Sequence, residues 1–269
     1  MTTSIVTSTA SSMAMATPPN LLLLLHGIPD TGRVWGPLAR ALAPDLPCRA
    51  PDLPGFGAAT VPFRPRHLDD LAAAIEAMLA DRPAARVVLV AHDVGGLFAL
   101  AWAAARPRRV AALVLVNTSV FGDRRWHWGA RILKAPGLGA AAVRLMPRVA
   151  FARELKRAAA GHLDDATIAA THAAFGLTAR RTARALYRLQ RPCVLEDLAE
   201  RVRALTRVFP TLVVWGDRDP YLPPAFAERF AARTVVHHPE LGHWPHREAP
   251  TRVAGDIRGF LAELGLWPT

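Results

Sequence analysis

The sequence predicts an α/β fold in which a mostly parallel sheet is flanked by helices and carries an inserted helical cap. Three observations carry this expectation. Short apolar runs alternate with stretches of helical periodicity, an order that requires crossover connections between parallel strands. The alternation stops between about 119 and 207, where the patterns are mostly helical, and then resumes. With 269 residues, 51% of them hydrophobic, the chain is large enough for one packed core and an insertion.

The elements follow in order. Residues 1–20, MTTSIVTSTASSMAMATPPN, are rich in Ser, Thr and Ala and lack both the basic leader and the sustained apolar segment of a signal peptide. They are expected to be a disordered tail, with SIVTS as a candidate edge strand, and the protein is expected to be cytoplasmic. Strands are predicted at 21–25, weakly at 48–50, and at 86–91, 110–116, 211–215 and 234–237. Helices are predicted at 34–43, 67–81, 96–105, 224–232 and 251–264. The core is therefore expected over 21–118 and 208–269. The stretch 119–207 contains GARILKA, DDATIAATHAAF and TARRTARALYRL, punctuated by Pro136, Gly137, Pro147 and Pro192. Its natural place is over the carboxyl ends of the strands, where open α/β sheets bind ligands.

Composition removes several function classes. The net charge of +11 is almost wholly arginine, Lys134 and Lys156 being the only lysines. The arginines are scattered, without aromatic-interleaved RNA motifs or zinc-finger spacing, so no nucleic-acid partner is predicted. No apolar run reaches the roughly 18 residues that span a bilayer, which excludes a membrane helix. Cys48 and Cys193 stand in no metal or redox spacing and are expected to be buried free thiols. The histidines and carboxylates show no ligand spacing such as His-Glu-x-x-His, so neither metal nor organic cofactor is implied.

The informative stretch is VVLVAHDVGG, 87–96. A strand, a sharp turn and a helix place Asp93 in the middle of a turn whose neighbours, Ala91 and Gly95, are small enough for strand and helix to approach. Asp93 also lies at a helix N-terminus, where the dipole favours a carboxylate. Taken alone, an aspartate that caps a helix is an ordinary structural event. Three loops after other strands add to it: HGIPDTG at 26–32, GDRDPYLP with Asp219, and ELGHWPH with His243. Nucleophile, acid, histidine is a familiar order of catalytic roles.

As a set, HGIPDTGRVW, PDLPGFG, LVAHDVGG, LVLVNT, VVWGDRDPYLP and LGHWPHREAP resemble the α/β-hydrolase superfamily over about 21–266, and within it the epoxide hydrolase and haloalkane dehalogenase branch. That resemblance implies Asp93 as nucleophile, His243 as general base and Asp219 as the acid that orients it. Asp217 competes for the last role, and Asp219 is preferred because it matches the family's Asp-Pro position. The backbone amides of Ile28 and Val94 match the oxyanion-hole positions. One departure is that relatives usually have two further strands before the His-Gly loop, where this chain has about twenty mostly polar residues.

The chemistry explains why an aspartate suits the turn. A carboxylate attacking an acyl carbon would leave a high-energy anhydride, whereas attack at a saturated carbon leaves an alkyl ester that His243-activated water can hydrolyse. An epoxide hydrolase is the leading expectation and a haloalkane dehalogenase the alternative, with a hydrophobic substrate and water as the partners. Dehalogenases commonly place a tryptophan after the nucleophile and many place an asparagine in the first loop; Val94 and Ile28 stand there. Epoxide opening needs a weak acid, for which Tyr187, paired with His127 or His172, is the candidate; Trp126 or Trp128 is the candidate halide donor. Tyr187, His172 and the tryptophans also have a plain structural reading. Tyr187 has helical spacing with Leu186 and Leu189, His172 suits a surface or packing site, and the tryptophans suit anchoring. His92, His26, His246 and PDLPGFG read as supports for the loops. A ligand-binding or non-hydrolytic role for the same fold remains the outside alternative.

Overall fold

The computed structural model describes residues 21–42, 46–83 and 85–267, so the expectations for 1–20, including the SIVTS strand, lie outside the described residues. Six strands, β1 (Leu21–Leu25), β2 (Cys48–Arg49), β3 (Val87–His92), β4 (Val110–Val116), β5 (Thr211–Gly216) and β6 (Thr234–His238), form one sheet in the order β2-β1-β3-β4-β5-β6. Every pairing is parallel, as the alternation of apolar runs and helices predicted.

The inner strands β1, β3, β4 and β5 are buried along their whole length and largely apolar because both faces of the sheet are covered there, whereas β2 (Cys-Arg) and β6 (TVVHH) are mostly half-buried. Side chains alternate along each strand. Leu23, Leu89, Leu113 and Val213 enter one core, while Leu22, Val88, Val114 and Leu212 enter the other. Helices α1 (Gly36–Leu42) and α12 (Pro250–Glu263) close the second core through Leu38, Leu42, Ile257 and Phe260. On the first face lie α2 (Leu68–Met78) and α3 (Val94–Ala105). Ten consecutive residues of α3, Val94 to Ala103, are buried, which explains a helix without an amphipathic stripe.

Six helices intervene between β4 and β5: α4 (Trp128–Lys134), α5 (Leu138–Arg144), α6 (Arg148–Ala158), α7 (Asp165–Ala174), α8 (Leu177–Leu189) and α9 (Pro192–Val208). Helix α9 packs on α3, while α8 holds α4 and α5. Two short helices, α10 (Ala225–Glu228) and α11 (Pro245–Glu248), complete the set among the described residues.

Three expectations need correction. The helix predicted at 224–232 is only α10, because Phe230 turns into the core and Ala231 takes a positive φ of 49°, which ends helical geometry. The helix predicted at 34–43 begins as a 3₁₀ turn, Gly32–Trp35, before α1. The thiols are free but not buried. Cys48 is half-buried on the two-residue strand β2, which among the described residues has a neighbour on one side only, and Cys193 is exposed in the first turn of α9. No helix among the described residues is long and apolar enough to cross a membrane.

Candidate active site

Asp93 ends β3 in a conformation that non-glycine residues rarely adopt, φ 48° and ψ −122°. Strain of this kind costs about 1–3 kcal/mol and persists only where neighbours enforce it. Here Thr118 Oγ1 donates to the Asp93 carbonyl at 2.6 Å, and the Gly96 amide donates to the same oxygen at 3.0 Å. Close approach does the rest. A Cβ on Gly95 would lie 2.4 Å from the Leu25 carbonyl oxygen, and one on Gly27 would lie 2.6 Å from the Asp93 Cβ. The turn thus forces the carboxylate out of the core, where the Ile28 amide donates to Asp93 Oδ2 at 3.0 Å. Val94 is the first residue of α3, so its amide belongs to the unpaired N–H groups of a helix start.

His243 lies in the loop after β6 and is anchored on three sides. Its amide donates to the Ala158 carbonyl at 2.7 Å, its own carbonyl contacts His92 Nε2 at 2.8 Å, and its Nδ1 meets Asp219 Oδ2 at 2.6 Å. The last contact fixes the tautomer: Nδ1 carries the proton and Nε2 is left as the base. Burial alone lowers the imidazolium's pKa, but Asp219, with Asp93 beyond it, outweighs burial and holds His243 above the ordinary imidazole value.

The two carboxylates of GDRD separate cleanly. Asp219 is buried and accepts from His243 Nδ1, from Asn117 Nδ2 at 2.8 Å, and from the amides of Tyr221 and Leu222 at 2.7 and 3.2 Å. Asp217 instead contacts His237 Nδ1 at 2.6 Å. Asp219 alone of the two touches His243.

Supporting histidines surround this group. His26 Nε2 accepts from the Leu53 amide at 2.9 Å, and its Nδ1 lies 2.8 Å from the Gly27 carbonyl, tying HGIPDTG to PDLPGFG. His92 and His246 are fully buried, with ring centres 4.5 Å apart, and burial holds both well below the ordinary imidazole range, hence neutral. Asp30 joins the first and last loops, accepting from Trp244 Nε1 and Arg247 Nη1, each at 2.8 Å.

Asp93, His243 and Ile28 open into a cavity of about 250 Å³ whose walls are largely apolar. Trp126, His127 and Tyr187 line it, as does Trp128, although more than half of the Trp128 surface is exposed. Tyr187 packs edge-on against Trp126, with ring centres 5.6 Å apart. Burial, followed by the charge of Asp93, pushes the Tyr187 phenol up, so it keeps its proton. Burial pushes His127 down to about 4, which leaves a neutral imidazole near neutral pH. His172 is the exception. It packs behind Phe151, at 5.0 Å between ring centres, and Phe151 rather than His172 reaches the cavity.

Four functional candidates went unread in the sequence. Tyr221 lines the cavity, donates to Glu154 Oε1 at 2.9 Å and lies edge-on to His243. Its position two residues after Asp219 was the available signal. Glu154 lies on α6, and nothing local distinguishes it from other helix-surface glutamates. Asn117, at the end of β4, holds Asp219 and also accepts from the Gly216 amide at 2.9 Å. Arg124 lines the cavity with its guanidinium 3.8 Å from the Trp126 ring centre and an Nη2 bond to Gln190. Its Nε is buried without a partner, and burial lowers its pKa to about 10, so it stays cationic. Among the described residues no cluster of His, Cys, Asp or Glu is arranged to hold a metal.

Comparison with known proteins shows the fold family. A family model described as the alpha/beta hydrolase fold matches residues 20–250. Lipase LipV of Mycobacterium tuberculosis is 31% identical over 255 residues, covering 90% of this chain and 94% of that protein. Haloalkane dehalogenase 2 of the same organism is 28% identical, over 89% of this chain and 86% of its own. The solved structure of an epoxide hydrolase, CorEH, superposes with a TM-score of 0.76 over 93% of both chains; at 20% identity this is a likeness of fold.

Proposed function

Because the chain belongs to the α/β-hydrolase fold family, we propose that it is a hydrolase that attacks saturated carbon through Asp93 and that its substrates are hydrophobic epoxides. The observation that carries the reading is a carboxylate at the strained turn, where a Tyr187 phenol that keeps its proton shares the cavity.

In the first step Asp93 Oδ attacks an epoxide carbon and the ring C–O bond breaks. The new alkoxide takes the phenolic proton of Tyr187, a general acid suited to this because burial keeps it protonated until a stronger base forms. The Arg124 cation, close enough to act on both Asp93 and Tyr187, offsets negative charge as it moves from one to the other. In the second step His243 Nε2 takes a proton from water, and the hydroxide attacks the Asp93 ester carbonyl. Asp219 stabilises the imidazolium so formed. The amides of Ile28 and Val94 receive the charge on the tetrahedral oxygen. Collapse releases a diol and restores the Asp93 carboxylate, and the proton on His243 replaces the one Tyr187 gave up. The six-helix segment 119–207, as a cap, supplies Tyr187, His127, Trp126 and the apolar walls that exclude bulk water.

Dehalogenation is the second reading, favoured by the similarity to haloalkane dehalogenase 2 and by Trp126 and Trp128 at the cavity. It gives the same Asp93 ester with halide as the leaving group. Acyl transfer, the chemistry that the name of LipV denotes, is disfavoured because an aspartate at the turn would form an anhydride. A single turnover in ¹⁸O-labelled water tests the reading. The product of that turnover should carry an unlabelled new hydroxyl, and the label should appear in the Asp93 peptide. Label in the first-turnover product would mean direct attack by water and refute the ester route.

A further inference from the structure

A second concavity, of about 990 Å³, lies where α5 and α8 meet the 64–66 loop, and it shares no lining residue with the Asp93 cavity. Helix α8 contributes Arg181, Arg184 and Arg188 to one wall, and Arg191 continues the row beyond the helix. Arg64, Arg66 and Arg144 stand around them. Between the guanidinium groups lie Val143, Ala185 and Leu189, of which Val143 and Leu189 are buried and Ala185 is half-buried, so the groove offers only a narrow apolar strip. No carboxylate lines the groove, and none of these seven arginines makes an ion pair among the described residues. Arg184 Nε is buried and has no hydrogen-bond partner. Seven like charges in one groove repel one another, and a buried donor without an acceptor has given up its hydration for nothing in return.

We infer that this groove docks an acidic amphipathic helix of a protein partner. Shape, length and lining each select that occupant. A concave groove does not fit a flat bilayer. Arg181 and Arg188 are seven positions apart, two helical turns or about 10 Å at roughly 1.5 Å per residue, too long for a single phosphate or carboxylate and matched to a row of them. The lining holds no aromatic side chain on which unpaired bases could stack. Cationic walls around a narrow apolar strip complement a helix whose glutamates flank a line of small aliphatic residues, with charge as the main attraction. Guanidinium groups pair such carboxylates in bidentate fashion. Docking there bears on the reaction, since α8 carries Tyr187 into the Asp93 cavity.

The test is fluorescence anisotropy of the full chain with a labelled synthetic helix that has leucine and alanine on one face and glutamate on the other. Micromolar binding is expected, weakened about tenfold or more by Arg181→Gln/Arg184→Gln/Arg188→Gln, the loss of two or three charge-assisted contacts. The loop variant Arg64→Gln/Arg66→Gln, which leaves the helices untouched, should weaken it as well. The charge-matched control Arg108→Gln/Arg203→Gln/Arg207→Gln, outside the groove, should retain most of it. Equal losses in groove and control variants would reduce the effect to net charge and overturn the proposal. Tighter groove-dependent binding of a single-stranded oligonucleotide or of anionic phospholipid vesicles would overturn it in favour of those partners. None of these readouts depends on the chemistry at Asp93.

Discussion

Replacing Asp219 by asparagine isolates what the acid does for His243. All four of its hydrogen bonds are accepted: Oδ2 from His243 and Asn117, Oδ1 from the amides of Tyr221 and Leu222. An asparagine side chain must turn its NH₂ toward one of these donor pairs. Facing the amides, it leaves buried N–H groups unsatisfied, at about 1–3 kcal/mol. Facing His243, it favours the tautomer whose Nδ1 accepts, which puts the proton on Nε2 and removes the base. Either way the charge-assisted bond is lost, at about 1.5–3 kcal/mol. Together these give about 2.5–6 kcal/mol, or roughly 100- to 10,000-fold in the step His243 serves. Rapid-quench intact-mass measurements resolve that step. Asp219→Asn should form the Asp93 ester at a near-normal rate and hydrolyse it 100- to 10,000-fold slower, so the ester accumulates. The pH profile should move too. His243 is held above the ordinary imidazole value chiefly by Asp219 acting against burial, so wild-type ester hydrolysis rises with pH through that raised value. The variant's residual activity should titrate at lower pH. Equal slowing of alkylation and hydrolysis, or an unmoved profile, would refute the assignment of Asp219 as a positioning acid.

Three further outcomes follow from the same geometry. Tyr187→Phe should slow ester formation from epoxides about 100-fold or more, the usual worth of a general acid, and leave ester formation from haloalkanes nearly unchanged; stopped-flow with both substrates checks this. Gly27→Ala places a methyl 2.6 Å from the Asp93 Cβ and should destabilise the fold by about 1–3 kcal/mol, read as a lower denaturant midpoint at unchanged slope. His26, His92 and His246 are all depressed by burial and bind protons more readily unfolded than folded. Their contribution is therefore fully present above about 6.5 and lost as pH falls from there toward their folded values. Denaturant midpoints should fall across that window, and a flat response would contradict neutral burial of these rings.

The parts legible in the sequence are those governed by local pattern. The strands Leu21–Leu25 and Val110–Val116 read clearly because burial on both faces demands unbroken apolar runs. The α10 region misled because Phe226 and Phe230 suggest a helical stripe, whereas Phe230 reaches the core from beyond the end of the helix. At the candidate site, spacing alone left Asp217 and Asp219 open, since their difference lies in which loop each faces. His127 and His172 were both open as partners of Tyr187, with His172 the better suited to a packing site, and the packing of Phe151 between His172 and the cavity separates them. Arg124 was invisible among many arginines, because its distinction is burial beside Trp126 and not its neighbours in the chain.

Alkylation of Asp93 is the step on which the mechanism stands, and intact-mass analysis of His243→Gln after incubation with separate panels of epoxides and haloalkanes reads it out. Without the base, the ester should persist. An adduct of the full epoxide mass is expected, mapped to the peptide bearing Asp93 and absent from Asp93→Asn. An adduct that survives in Asp93→Asn, or none from either panel, would contradict it.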